Sequence, residues 1–178
     1  TLGMCCVPEE RLGHGAVPGM SLVDNTALSA RIRKDLVRAG FIDQKNTERF
    51  TRQIVADFDV RTAGIDHAAR SLSGGNLQKF IMGREILQAP FVLVVSQPTW
   101  GVDAGAAAAI HTALLELAKS GSAILVISQD LDELLVISDR VSVLADGRLT
   151  PAQDVASVTV ESIGISMGGQ AAGGAAHV

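Results

Sequence analysis

The sequence predicts an α/β domain with a parallel sheet and a largely helical segment placed before two of its strands. Two continuous apolar runs, Phe91–Val95 and Ala123–Ile127, have the length and composition of strands that are buried on both faces. Between them, Asp103 precedes Ala104–Lys119, in which the apolar residues recur on one helical face. Strand, helix and strand joined by short links are typical of a parallel sheet with right-handed crossovers.

Composition limits the classes of function. At 178 residues the chain suits one domain. Its 15 Lys and Arg against 19 Asp and Glu give a net charge of −4, so the chain has no electrostatic footprint for nucleic acid. The apolar runs are far shorter than the ~18 residues that a membrane-spanning helix needs, and no leader pattern opens the sequence. We therefore expect a cytoplasmic location.

The first half of the chain is predicted to contain one strand followed by helices. Leu2–Val7 has the apolar pattern of a strand. A helical period runs from Asp24 to about Gln53, with Gly40 expected to end its first helix and a second helix expected over Thr47–Phe58. Ser73 is expected to open a further helix that continues to Leu87.

The two cysteines are neighbours, Cys5 and Cys6, in the predicted first strand. Adjacent residues of a strand point to opposite faces, so neither a shared metal site nor a relaxed disulfide is expected. We interpret both as small buried apolar residues. The histidines show no metal-ligand spacing; they are His14, His67, His111 and His177.

The C-terminal part is predicted to contain a short helix over Leu131–Ile137 and then a hairpin. Val141–Leu144 and Arg148–Thr150 are its strands, and Asp146-Gly147 suits the primed turn that joins twisted antiparallel strands. Residues 166–178 are rich in Gly and Ala and are expected to form a flexible tail.

The most informative short motif is Leu72-Ser73-Gly74-Gly75-Asn76-Leu77-Gln78-Lys79. A hydroxyl followed by two glycines at the start of a helix makes an anion-binding turn, because the first helical N–H groups have no intrahelical partner. Gly74 and Gly75 carry no Cβ, so a phosphate can approach the backbone closely. Alone, such a short motif has a high false-positive rate.

The sequence segments on either side of this motif make it more specific. It resembles the signature motif of ATP-binding cassette proteins, and other segments are similar to further parts of that family in the family's order. These segments are Val7–Arg11 and Gly19–Asn25 (the region after the Q-loop in the second cassette of bacterial simple-sugar and nucleoside importers), Phe91–Asp103 (Walker B strand and D-loop), Ile124–Glu133 (switch) and Asp139–Arg148 (closing hairpin). The resemblance covers roughly residues 2–165.

This resemblance implies a partial P-loop NTPase (RecA-like) fold over residues 1–165, with an inserted helical signature subdomain at 24–90 and core strands and helices at 91–150. The Walker A portion is missing, since residues 1–178 contain no Gly-x-x-x-x-Gly-Lys-[Ser/Thr]. That loop supplies the main phosphate cradle. We therefore expect a fragment of a longer polypeptide that by itself binds ATP very weakly.

The resemblance also implies which residues contact nucleotide. In this family two cassettes pair head to tail, and the signature turn of one covers an ATP held by the other. Ser73, Gly74, Gly75 and Asn76 would thus contact ATP in trans, and Asp103 lies in the D-loop. Glu9 occupies the position of the Q-loop glutamine and brings negative charge toward a phosphate site.

The catalytic positions depart from the family pattern. Ser96 and Gln97 stand where a Walker B strand ends in Asp-Glu, and Gln129 stands at the switch histidine. A serine cannot supply the negative charge that helps to hold Mg²⁺. Glutamine can orient a water molecule but is a poor proton acceptor. We therefore expect the site on this cassette to turn nucleotide over slowly or not at all.

The function implied is that of an ATP-binding subunit of a bacterial importer for sugars or nucleosides, peripheral to the inner membrane. ATP and Mg²⁺ are the expected cofactors in the full-length dimer. The expected partners are a second cassette, in tandem on the same polypeptide, and membrane permease subunits. Three alternatives remain: a non-catalytic nucleotide-binding or regulatory cassette, a truncated inactive product, and a cassette protein of DNA repair or translation.

Two further expectations concern side chains near these motifs. Trp100 stands where the importer family commonly has a basic residue, and we favour packing on the helical subdomain over contact with a partner cassette. The charged residues on the signature helix and after the switch are expected to form solvated helix faces; they are Arg84, Glu85, Asp132 and Glu133.

Overall fold

The structure, a computed structural model, describes residues 3–168. The chain divides into two compact units, residues 1–127 and residues 128–178. The predicted tail at 166–178 lies largely outside the described residues. The helices and strands of the first unit are β1 (Met4–Val7), α1 (Leu22–Ala30), β2 (Val37–Arg38), β3 (Phe41–Ile42), α2 (Gln44–Asp57), α3 (Gly74–Ile86), β4 (Val92–Ser96), α4 (Ala104–Lys119) and β5 (Ala123–Ile127).

The core of the first unit is a parallel three-stranded sheet in the order β1-β4-β5. Its register pairs Val7 with Val95 and Ser96 with Ile127. The sheet confirms the predicted parallel arrangement and the predicted strands. The expectation that β4 and β5 are buried on both faces was wrong: Leu93 and Val95 are buried, but Leu125 on the other face is 55% exposed.

Helix α3 is the centre of the helical layer. Ser73 caps its N-terminus, and the helix ends before Pro90, as the sequence predicted. It packs against β1, α1, α2 and α4. Phe80, Ile81 and Met82 are fully buried along it. The N-terminus of α3 carries the Ser73-Gly74-Gly75 turn of the motif described above, hereafter the signature turn. The packing of α3 therefore fixes the position of that turn in the unit.

The helical segment before α3 differs from the prediction. Helix α1 ends at Ala30, and the chain then forms the antiparallel hairpin of β2 and β3 instead of a helix that continues to Gly40. Asp35 and Ala39 adopt positive φ values of 51° and 49°, which a helix cannot accommodate. Of the apolar residues that contribute to the helical period of this segment, Leu36 is buried, but Ile32 is 59% exposed.

The expectation that Arg84 and Glu85 form a solvated face was wrong, since both are buried. Arg84 Nε lies 2.7 Å from Glu85 Oε1, and its two terminal nitrogens donate to the carbonyls of Asn25 and Gly15 at 3.2 and 2.7 Å. Gln88 Nε2 donates to Glu85 Oε2 at 2.8 Å. This network joins α3 to α1 and to the loop after β1.

The two cysteines lie in different environments. Cys5 is buried and Cys6 is exposed, so the prediction of a buried side chain holds for Cys5 and was wrong for Cys6. Burial, with the negative charge of Glu85 as a smaller contribution, raises the pKa of the Cys5 thiol to about 12. Cys5 is therefore an unreactive thiol of the polar network.

The second unit contains the predicted short helix and hairpin. Its elements are α5 (Leu131–Ile137), β6 (Arg140–Val141), β7 (Leu144–Ala145), β8 (Arg148–Leu149), β9 (Gln153–Asp154) and α6 (Val160–Met167). Strands β7 and β8 pair around Asp146-Gly147, whose φ values of 49° and 72° suit the predicted primed turn. The β6-β9 pair and α6 were not predicted. Asp132 is exposed as expected, but Glu133 is buried, which corrects that prediction.

Candidate functional site

The signature turn is an exposed helix N-terminus held by local hydrogen bonds. Ser73 Oγ accepts from the Asn76 backbone N–H at 3.4 Å and from Asn76 Nδ2 at 2.9 Å. Asn76 Oδ1 in turn accepts from the Arg61 N–H at 2.8 Å. Ser73 and Gly74 are exposed to solvent. The positive end of the α3 dipole therefore faces an open surface, where an anion is stabilised.

The two glycines of this turn also meet a packing requirement. A Cβ at Gly74 would lie 3.2 Å from Arg11 Nη1, and a Cβ at Gly75 would lie 3.1 Å from the Gly101 carbonyl oxygen. Both distances are shorter than ordinary van der Waals contacts. The glycines thus allow the turn to approach Arg11 and the segment around Gly101, in addition to leaving the backbone open to a phosphate.

The end of β4 is fixed by backbone and side-chain contacts. Ser96 is half-buried and Gln97 is 9% exposed, with a φ of 51°. The Gln97 N–H donates to the Ile127 carbonyl at 2.8 Å. From α3, Gln78 Nε2 donates to the carbonyls of Gln97 and Pro98 at 3.2 and 2.8 Å. Gln78 lies within the Leu72–Lys79 motif but was not singled out from the sequence.

The residues at this strand end do not fit a magnesium site. Mg²⁺ prefers carboxylate oxygens and water in octahedral geometry. Ser96 and Gln97 offer a hydroxyl and an amide, without a negative charge. Within residues 3–168, no group of three or more His, Cys, Asp or Glu side chains is placed to hold a metal ion.

Asp103 has a structural role that the sequence predicted. Its Oδ1 accepts from the Ala106 N–H at 2.9 Å and caps α4. That hydrogen bond, with the positive charge of Lys79 as a smaller contribution, lowers the pKa of the Asp103 carboxyl below its ordinary value. Three residues earlier, Trp100 is 66% exposed, so the favoured prediction that it packs on the helical subdomain was wrong.

An open cavity of about 730 Å³ lies beside the signature turn. It brings Glu9, at the predicted Q-loop position, to the same surface as Gly74 and Trp100. Its full lining is Glu9, Glu10, Arg11, Leu12, Gly74, Leu77 and Trp100. Arg11 was not singled out from the sequence, although it ends the Val7–Arg11 segment that carries part of the resemblance.

Gln129 belongs to the second unit and is described within that unit. It is exposed and lies in the turn before α5. Asp130 Oδ1 accepts from the Glu133 N–H at 3.0 Å and caps that helix, and the Asp130 N–H donates to Ser128 Oγ at 3.0 Å. The turn that carries Gln129 is thus held by its own side chains.

Solved structures share this fold. The chain matches the ATP-binding cassette MJ0796 bound to ADP and Pi with a TM-score of 0.70 and 18% identity, over 85% of this chain and 62% of that one. A second match, an ATP-binding subunit of an ABC transporter, has a TM-score of 0.73 and 17% identity, over 93% of this chain and 68% of that one. The fold is that of a partial P-loop NTPase domain of the cassette type.

Sequence relatives agree with the fold. The nucleoside import ATP-binding protein NupA of Lactococcus lactis is 42% identical over 163 residues, which are 92% of this chain and 32% of NupA. The chain is homologous to the C-terminal portion of ATP-binding cassette import proteins. The ribose import ATP-binding protein RbsA 2 of Streptomyces coelicolor is 37% identical over 90% of this chain and 31% of its own length. No family profile matches the sequence.

The relatives among these cassette import proteins are much longer than this chain. The guanosine import ATP-binding protein NupO of Bacillus subtilis is 34% identical over 94% of this chain and 33% of NupO. The chain thus spans about a third of the length of the curated relatives that it matches. Among the helices that the structure describes, none is both long and apolar enough to cross a bilayer.

Proposed function

We propose that this chain supplies the signature turn of an ATP-binding subunit that drives import of nucleosides or sugars. The exposed N-terminus of α3, with Ser73 as its cap and Gly74 and Gly75 behind it, is the single observation that carries the proposal. The import proteins to which the chain is similar are named for nucleosides, guanosine and ribose, which supports this class of solute.

In this proposal the turn acts on an ATP held by another cassette. The Ser73 hydroxyl and the first N–H groups of α3 donate to the γ-phosphate, and the helix dipole adds a favourable potential. The Gly-rich loop and lysine that cradle the same phosphates belong to the partner cassette. The tandem arrangement on one polypeptide is consistent with relatives about three times as long as this chain.

The site on this cassette is proposed to be degenerate. Ser96 and Gln97 lack the carboxylates that hold Mg²⁺ and polarise water, and Gln129 lacks a titratable ring. Glu9 brings a negative charge to the position of the Q-loop glutamine. The departures at these four family positions support slow turnover by this cassette, while the signature turn serves the consensus site in trans. ATP and Mg²⁺ are the cofactors of the assembled pair.

The subunit would be bound on the cytoplasmic side of the membrane through permease subunits. The helical layer formed by α1, α2 and α3 is the proposed permease-contacting part. The solute is selected by the permease and its associated binding protein, so the residues of this chain do not determine it.

A second candidate function is a non-catalytic or regulatory cassette. The observation that favours this alternative is the chemistry of Ser96 and Gln97, which lack the carboxylates that hold Mg²⁺ and polarise water. It predicts that nucleotide binding changes the conformation of the complex but that the signature turn makes no contribution to hydrolysis. The two candidates therefore differ at Ser73.

Hydrogen–deuterium exchange of the assembled importer tests the proposed contact. A non-hydrolysable ATP analogue with Mg²⁺ should protect the amides of residues 74–77, and ADP should protect them much less because it lacks the γ-phosphate. The amides of α6, which has no role in the proposed contact, serve as the internal control and should exchange equally in all states. If the importer hydrolyses ATP and residues 74–77 exchange alike with and without the analogue, the proposal is wrong.

A further inference from the structure

Arg11 bridges two turns that are distant in sequence. Its Nη1 donates to the Gly74 carbonyl at 3.0 Å, and its Nη2 donates to the Trp100 carbonyl. Gly74 belongs to the signature turn, whereas Trp100 belongs to the loop between β4 and α4. A guanidinium group is a planar fork with fixed donor directions, so two acceptors held at once define its position.

Both turns have a glycine against the guanidinium group. A Cβ at Gly74 would be 3.2 Å from Arg11 Nη1, and a Cβ at Gly101 would be 3.5 Å from both terminal nitrogens. Gly101 also has a φ of 66°, a conformation that favours glycine. The backbone on each side is therefore open where Arg11 lies against it.

The guanidinium group is only partly solvated. Burial lowers the pKa of Arg11, because the surrounding protein removes part of the hydration of its cation. Arginine nevertheless stays protonated in proteins. Hydrogen bonds from a partly desolvated cation to carbonyl oxygens are stronger than the same bonds in water, so the two contacts restrain both turns.

A second side chain restrains the same loop from another direction. Gln78, buried in α3, donates to the carbonyls of Gln97 and Pro98. It fixes the start of the loop, whereas Arg11 fixes its Trp100 end. Of these two sets of hydrogen bonds, only those of Arg11 join the loop directly to the signature turn.

We propose that Arg11 is a positioning residue that holds the Ser73-Gly74-Gly75 turn against the Trp100 loop in the geometry that receives the γ-phosphate. This inference rests on the proposed function. Arg11 does not touch the reacting atoms, because its terminal nitrogens point to backbone carbonyls. It comes from the loop after β1, two residues beyond Glu9, and so couples that loop to the ATP-facing turn.

The first test uses the isolated chain and needs no nucleotide. Trp100 is the one tryptophan in the sequence, so its fluorescence reports on this loop. R11A and R11K should both increase acrylamide quenching of Trp100, because a lysine has a single ammonium and cannot span both carbonyls. R52A, which removes an arginine with a 3.7 Å surface ion pair on α2, should leave the quenching unchanged. Unchanged quenching in R11A would overturn the proposal.

The second test measures the ATPase of the assembled importer with R11A, R11K, R148A and S73R. R11A and R11K should lower kcat about 10- to 100-fold, as small misplacements of a positioned group do. The affinity for ADP, which has no γ-phosphate, should stay as in the wild type. R148A, which removes an exposed arginine of β8, should be normal.

The outcomes distinguish the role of Arg11 from the proposed function of the signature turn. Loss of activity in S73R with normal activity in R11A removes Arg11 as a positioning residue and keeps the proposed function. Normal activity in both S73R and R11A contradicts the proposed function. Full activity in R11K with loss in R11A would also overturn the inference, since a single positive charge would then suffice. If R11A does not fold, the test relies on R11K. A lowered kcat in an R11K protein with the wild-type melting temperature supports the role of Arg11, and a normal kcat contradicts it.

Discussion

At the scale of single residues, the buried pair Arg84–Glu85 sets the stability of the helical layer. Both side chains are nearly inaccessible, at 6% and 4% exposure, and their charges are 2.7 Å apart. Arg84 also holds the carbonyls of Asn25 and Gly15. Replacing one member of such a pair is costly because the other charge is left buried without its partner.

We predict that E85A lowers the free energy of unfolding by about 3–5 kcal/mol, measured by denaturant unfolding of the chain. The matched control is E48A, which removes the half-buried i,i+4 partner of the exposed Arg52 and should cost about 0.5 kcal/mol or less. Equal effects of the two substitutions would mean that the Arg84–Glu85 contact contributes no more than a surface pair.

The cysteines give a prediction of reactivity. The thiolate is the nucleophilic form, and the pKa of Cys5 is raised to about 12, so the thiolate is scarce until the pH approaches that value. At about pH 8, iodoacetamide should alkylate the exposed Cys6 and leave Cys5 unmodified. Mass spectrometry of peptides after alkylation checks this. Comparable modification of both residues in the folded chain would contradict the buried position of Cys5.

At the scale of elements, the contact between α3 and the end of α2 depends on a helical glycine. A Cβ at Gly83 would lie 2.6 Å from Cδ2 and 2.8 Å from Cγ of Phe58, distances at which one side must move. Glycine is unfavourable inside a helix relative to alanine. Its presence at position 83 is therefore explained by the approach of the Phe58 ring.

We predict that G83A destabilises the chain by about 1–3 kcal/mol, as overpacking does in a dense core. The matched control is G164A in α6, where nothing lies within 4 Å of the added Cβ. That substitution should stabilise the chain by up to about 1 kcal/mol through helix propensity. Thermal unfolding measures both, and a stabilising G83A would show that the ring of Phe58 yields easily. In an F58A background, G83A should lower the stability much less than it does in the wild type, because the ring that the added Cβ would meet is absent.

Most elements could be predicted because local signals and tertiary contacts agree in them. Ser73 and Asp103 are helix caps in sequence and in structure, and Asp146-Gly147 forms the expected turn. The prediction of a helix through Leu36 was wrong because Asp35 and Ala39 adopt positive φ values. The types of these two residues do not by themselves indicate that conformation. The apolar period there reflects one buried residue, Leu36, among exposed neighbours.

At the scale of the whole molecule, the sequence located the Ser73-Gly74-Gly75 turn at a helix N-terminus but not the residues that surround it. The contacts of Arg11 with Gly74 and Trp100 span 63 and 89 residues along the chain, and no local pattern contains them. The burial of Arg84 and Glu85 was missed for the same reason, since helical position alone suggested solvent. Motifs could therefore be located from sequence, whereas their positioning required the tertiary structure.

We propose an asymmetry, in which the signature turn of this chain serves an ATP site in trans while the catalytic positions of the chain itself are degenerate. Substitutions at two positions, Ser73 and Gln97, distinguish these two roles. Ser73 is exposed at the N-terminus of α3, and Gln97 is 9% exposed at the end of β4. S71R provides the control, because Ser71 is an exposed serine two residues before Ser73.

The most direct measurement is the transport-linked ATPase rate of the assembled importer with S73R, S71R and Q97A in parallel. S73R should reduce the rate by ~100-fold or more, because it places a bulky side chain where preorganised donors face the phosphate. S71R should be near the wild-type rate, and Q97A should remain within about twofold of it, since an amide is a poor proton acceptor. An unchanged rate in S73R, or a loss in Q97A as deep as that expected for S73R, would contradict the account.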